Sequence, residues 1–169
     1  MSKDKISKEI ESKFGHQLRS RVNGVLIENE KILMVKHLMG NGREFWSTPG
    51  GGMVYGMNAA DNLKREFLEE TCLTIEVGEY LFVHEFLKPP LHAIELFFEV
   101  KILDGLAVLG KDPELSNTDQ ILADIRWMSI EDLHSLEKNS IHRIFWGIKS
   151  LSELVLCKGY FNFGNISIK

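Results

Sequence analysis

The chain has 169 residues, enough for one domain with a short appendage. With 44% hydrophobic and 26% charged residues and a net charge of -4, it is not a disordered segment. The weak acidity also excludes a broad footprint for nucleic acid or an anionic membrane, while leaving room for a local basic pocket. Two cysteines, Cys72 and Cys157, make no disulfide framework and no CxxC motif, so two buried thiols in a reducing compartment are expected. The opening MSKDKISKEIESKFG has no apolar core of a leader, and no segment is long enough to span a bilayer. The expectation is a cytoplasmic protein with neither nucleic acid nor membrane as partner.

Residues 4–14 place Ile6, Ile10 and Phe14 four apart, the stripe of a short amphipathic helix. It is read as an N-terminal extension over residues 1–17 that packs on the domain or on a second copy, a homodimer; residues 18–169 form one domain. RVNGVLIENEKILMVKHL then reads as two strands joined at Glu28-Asn29-Glu30. The glycine-rich WSTPGGGMVYG cannot be regular helix, whereas residues 59–71 are good helix formers without Gly or Pro. Ile75 to Phe86 and His92 to Ile102 are two strands flanking Lys88-Pro89-Pro90, the second with apolar residues on both faces, as in a strand covered on two sides. Residues 104–122 read as loop, 124–128 as a short strand, and Ser129 as the cap of a helix through Leu133. Residues 138–156 read as a helix with Ile141, Ile144, Phe145, Ile148, Leu151 and Leu154 on one side. The class is mixed α/β or α+β.

Arg65-Glu66-Phe67-Leu68-Glu69-Glu70 is the sharpest feature. On a helix Glu66, Glu69 and Glu70 stand at i, i+3 and i+4 and project from one side. Three carboxylates so placed repel one another, and a hard divalent cation such as Mg²⁺ or Mn²⁺ relieves that repulsion through oxygen ligands. The bland alternative is a solvated acidic helix face with Arg65 as counter-charge. Just upstream, Pro49-Gly50-Gly51-Gly52 lets backbone approach a ligand closely. A glycine-rich turn feeding a helix suits a pyrophosphate and its metal. The two features at this separation weigh more than either alone.

On these residues the chain resembles the Nudix (MutT-like) hydrolases, whose motif is G-x5-E-x7-R-E-U-x-E-E-x-G-U with U a bulky apolar residue. Gly51, Arg65, Glu66, Phe67, Glu69, Glu70 and Leu73 match; Met57 stands where the motif has its first Glu, and Cys72 where it has its second Gly. RSRVNGVLIENEKILMVKH is similar to the family's first hairpin, FWSTPGGG to its approach to the motif, and DIRWMSIEDL to its last strand and helix. The resemblance implies an α/β/α sandwich around a mixed β-sheet. It also implies metal-dependent attack of water on a nucleoside diphosphate linked to another moiety, such as a nucleotide sugar, or on a nucleoside triphosphate. The cofactor would be Mg²⁺ or Mn²⁺, held by Glu66, Glu69, Glu70 and the Gly51 carbonyl. Glu66 would help activate water and Arg65 would orient it. Met57 removes one outer support of the metal site, and a left-handed Cys72 would cost about 1–2 kcal/mol. A degenerate motif that senses a nucleotide without turning it over is the competing reading.

Other assignments are looser. Gly50 and Gly52 are candidates for substrate contact, as are Phe45 for stacking and Asp124 for a further acidic residue on a loop. Trp46, Tyr80 and Phe86 are further stacking candidates, although aromatics in strands are usually core. Glu114 and Asp119 share the loop region of Asp124. Glu95 and Glu99 share a strand face that reaches the cleft or forms a solvated edge. His16, His37, His84, His92, His134 and His142 show no metal-ligand spacing, so zinc is not expected.

Overall fold

The computed structural model describes residues 11–12, 14–39, 42–111 and 121–162. Most of the expected N-terminal helix, together with Glu114 and Asp119, lies outside the described residues. Among the described residues nine strands form two sheets. β1 (Leu18–Val25), β5 (Gly50–Gly52), β6 (Thr74–Lys88), β7 (Leu91–Asp104) and β9 (Gly159–Phe161) make one, in the order β5-β1-β7-β6-β9. It is mixed: β1 runs parallel to β7 and β9 parallel to β6, whereas β5–β1 and β6–β7 are antiparallel. β3 (Lys31–Met39) centres the second sheet and pairs antiparallel with β2 (Ile27–Glu28), β4 (Arg43–Ser47) and β8 (Leu122–Met128).

The first expected strand is split. The chain leaves one sheet at Val25, passes the buried Leu26 and enters the other at Ile27. Asn29 and Glu30 both take positive φ, 49° and 61°, which closes the β2–β3 hairpin in the sense that matches strand twist.

Helix α1 (Ala59–Thr71) buries Leu63 and Phe67 against Val22, Leu33, Leu73, Ile75 and Val100. Burying one such side chain stabilises by roughly 1.5–3 kcal/mol. A second apolar cluster joins Phe82 and Phe97, stacked at 4.7 Å, to Val25, Ile32, Met34 and the C-terminal segment. Alternate residues of β7 enter the two clusters, Phe97 one and Val100 the other, as its two-faced apolar pattern requires. With α1 on one side and the C-terminal elements on the other, the expected α/β/α layering is present. Ser129 and Asp132 form a capping box on α2 (Ile130–Ser135).

The expected helix over 138–156 is not one helix. It resolves into short 3-10 turns at Lys138–Ser140 and Arg143–Phe145, followed by α3 (Ser152–Leu156). Ile141 and His142 are extended, and Ile141 bridges to Trp46 while the His142 N–H donates to the Trp46 carbonyl at 2.9 Å. Pairing with β4 replaced helical bonds there, and the helical spacing of apolar residues is met by successive turns instead. Among the described residues no helix is long and apolar enough to cross a membrane.

Candidate active site

Asn58 caps α1 by accepting the Asp61 N–H at 2.9 Å, and the fully buried Asn62 fixes the loop before it. The Asn62 amide donates to the carbonyls of Met57 and Asn58 at 2.9 Å each and accepts the Val54 N–H at 2.8 Å. Met57 therefore sits in a loop held by Asn62, a residue that no motif in the sequence singles out. At the other end Cys72 adopts the left-handed conformation, φ 58°, ψ 18°, that the motif reserves for glycine. The expectation of a buried Cys72 thiol fails, because this cap carries the side chain out to solvent; Cys157 is half-buried. The last carbonyls of α1 would be orphans. Instead Glu69, Glu70 and Thr71 accept N–H groups of Lys111, Gly110 and Val108 at 2.9–3.1 Å. A Cβ at Gly110 would stand 1.9 Å from the Glu69 carbonyl oxygen, so this approach needs glycine.

The acidic side of α1 meets β5 as follows. Arg65 donates from Nη2 to Glu66 Oε1 at 2.6 Å and from Nη1 to Glu69 Oε2 at 2.8 Å. The buried Glu70 accepts the Gly50 N–H at 2.9 Å. Gly52 offers its carbonyl to Arg65 Nη2 at 3.4 Å. A Cβ on Gly51 would fall 2.3 Å from the Glu66 carboxyl carbon, so the bare backbone there is a cradle for that carboxylate. Burial pushes the Glu66 carboxyl above its ordinary value, against the opposing charge of Arg65. Arg65, Glu66, Glu69, Glu70 and Gly50–Gly52 are thus brought together.

Phe45 and Asp124 engage other partners. Phe45, half-buried on β4, stands edge-on to the His142 ring at 6.1 Å. Asp124 lies on β8 opposite Lys36, where it accepts from Arg126 Nε at 2.7 Å and from the Ile125 N–H at 2.9 Å. Trp46 is core, Tyr80 is exposed, and Phe86 lies under the Arg143 guanidinium.

Glu95 is no solvated edge. It is buried on β7, and its Oε2 accepts from His84 Nδ1 at 2.8 Å and His142 Nε2 at 2.9 Å. The three ligand-type atoms lie within 4.8 Å of one another, a His₂Glu set of the kind that can hold a metal ion. Ligand spacing could not reveal it: register places His84 beside Glu95, but His142 arrives from 47 residues on. His142 Nδ1 accepts the Ile144 N–H at 3.3 Å, which assigns the ring proton to Nε2 and makes that nitrogen a donor. Burial pulls the Glu95 carboxyl upward, but His142, His84 and Arg21 outweigh it and hold the group well below the carboxylate range. A depressed carboxyl adds stability above its ordinary value of 4.5 and loses it as pH falls below that. Glu95→Ala is therefore expected to cost about 3–5 kcal/mol at pH 7, with a smaller gap from wild type at pH 3. Equal gaps in denaturant titrations at the two pH values would refute the assignment.

The family model for the NUDIX domain matches residues 17–146, and the chain belongs to that family. It is 28% identical over 97 residues, 54% of this chain and 45% of the relative, to "Putative ADP-ribose pyrophosphatase YjhB" of Bacillus subtilis (strain 168). The chain thus matches less than half the length of that relative. Among solved structures it is similar to a UDP-X diphosphatase (TM-score 0.62, 20% identity, 95% of this chain and 76% of that one). It is equally similar to a MutT NUDIX hydrolase from Burkholderia pseudomallei (TM-score 0.62, 20% identity, 76% of this chain and 95% of that one). These two likenesses concern the fold.

Proposed function

We propose that the chain is a divalent-metal-dependent pyrophosphohydrolase acting on a nucleoside diphosphate derivative, in the class of ADP-ribose or a nucleotide sugar. The observation that carries this reading is the convergence of Glu66, Glu69 and Glu70 with the bare backbone of Gly50–Gly52 on one edge of the sheet. The relative named for ADP-ribose supports the substrate class.

The residues fit Mg²⁺ or Mn²⁺. Three carboxylates supply hard oxygen donors, and the Gly51 carbonyl is a fourth candidate. When bound, the ion supplies Lewis acidity toward the phosphates and acidifies a bound water. Glu66 takes the proton as water oxygen bonds to one phosphorus and the bridging P–O bond breaks, releasing a nucleoside monophosphate and the phosphorylated remainder. Arg65, pinned between Glu66 and Glu69, holds the Glu66 carboxylate in place. Turnover of a nucleotide panel, with and without Mg²⁺, tests the reading; binding without turnover would favour the sensing alternative instead.

Met57 bears on the rate. Asn62 holds its loop without the motif's glutamate, so Met57→Glu adds a carboxylate to an intact loop. The expected outcome is a several-fold lower Mn²⁺ requirement or a faster rate. An unchanged metal titration would mean that this position plays no part in the site.

A further inference from the structure

Beyond the acidic helix, a row of polar side chains lies along β1. Arg19, Arg21 and Asn23 alternate on that strand and so project to one side. Arg19 Nε and Asn23 Nδ2 are buried and lack hydrogen-bond partners among the described residues, and Arg21 Nε is buried with only a 3.4 Å ion pair to Glu95; Asn23 is only 3% exposed. Buried donors are nearly always paired, so the row points to an acceptor-rich ligand. Two of the three side chains are cations, which favours an anion.

Register fixes where the row leads. Arg21 lies opposite Gly52 and Asn23 opposite Gly50, while Val22 between them lies opposite Gly51, which faces Glu66, so the row flanks the acidic helix from the other face of the same sheet edge. A side chain on Gly52 would meet nothing within 4 Å, so the space beside Arg21 is open past β5. On its other side Arg21 lies opposite Glu95, with Nε 3.4 Å from Oε1 in an ion pair. Glu95 cannot swing, because its second oxygen is taken by both His84 and His142. With Nε turned toward Glu95, the two terminal nitrogens of the guanidinium remain as a fork for phosphate oxygens.

We propose that Arg21, flanked by Arg19 and Asn23, binds the non-bridging oxygens of the substrate's diphosphate, and that Glu95, clamped by His84 and His142, is a positioning residue that aims Arg21. The proposal deepens the pyrophosphohydrolase reading and rests on it. It also gives the His₂Glu cluster a task without a metal, in keeping with a protonated His142 Nε2 and a guanidinium beside the carboxylate.

The test is calorimetric binding of α,β-methylene ADP, a non-hydrolysable diphosphate probe, with Mg²⁺. Wild type, Arg21→Ala, Arg21→Lys, Glu95→Gln and the Arg21→Ala/Glu95→Gln double variant are compared, each with a melting curve. Arg21→Ala is expected to weaken binding about 10- to 100-fold, with part recovered in Arg21→Lys. Glu95→Gln is expected to weaken it less, and the double variant no more than Arg21→Ala, because Glu95 acts through Arg21. Should Glu95→Gln not fold, His142→Ala takes its place in the cycle. Additive losses, wild-type binding by Arg21→Ala, or no binding by the wild type would each overturn the proposal. So would stoichiometric zinc in the purified protein that Glu95→Gln loses, since that makes the cluster a metal centre. Probe binding that depends on Arg21, alongside a nucleotide panel with no turnover, would reject the hydrolase reading alone.

Discussion

Replacing Glu69 and Glu70 together by glutamine is expected to remove Mg²⁺-dependent hydrolysis while the fold survives. Glutamine keeps the shape of each side chain but has no negative charge with which to hold a hard cation. If the ion contributes several kcal/mol to the transition state, about 4 kcal/mol corresponds to a loss of roughly a thousandfold in kcat. The fold is insulated from the change. The half-buried Glu69 side chain bonds only to Arg65 among the described residues, and the Gly50 N–H can still donate to the amide oxygen of a glutamine at position 70. Circular dichroism and a melting curve establish that the variant is folded, and turnover is then measured at saturating Mg²⁺. Wild-type turnover in the double variant would rule out these two residues as metal ligands.

How far the sequence disclosed this arrangement depended on the range of the interactions. Helix α1 was legible over its full span, since its run of helix formers without Gly or Pro lies within a few turns of chain, whereas its cap Asn58 was not singled out. The β6–β7 hairpin was legible in long alternating runs around Pro89-Pro90, with boundaries a few residues wider than expected. β4 and β5 were not, because five and three residues beside a glycine run carry too little pattern. The C-terminal segment misled for the opposite reason. Its apolar spacing is helical, yet Ile141 pairs with β4, so a tertiary bridge overrode the local period. In the candidate site, the i, i+3, i+4 carboxylates and the glycine run were readable because they are local. Glu95 was not, since a strand face says nothing of what packs on it, and His142 arrives from far along the chain. The same limit hid Asn62, whose value comes from the loop it holds, and residues 108–111, which complete the end of α1.

Glu66→Gln separates chemistry from folding within that helix. The carboxylate is largely withdrawn from water, crowded by Glu69 and held by Arg65, and burial dominates, so its affinity for a proton is raised in the folded state. For an acid with a raised pKa the folded form binds the proton more tightly than the unfolded chain. That stabilisation is present at low pH and is lost as pH rises from the ordinary 4.5 through the raised value. At neutral pH the ionised group is therefore a cost to the metal-free protein, and the neutral glutamine removes it, although it also weakens the bond from Arg65. The expected melting temperature of the metal-free variant is equal to or above that of wild type. Catalysis should move the other way, because an amide cannot accept the proton of the attacking water. General-base assistance contributes about 10²–10⁴-fold, and kcat should fall by that order. The two measurements belong on one preparation. A variant that melts well below wild type yet keeps its kcat per folded molecule would make Glu66 a structural residue, held in the Gly51 cradle for packing alone.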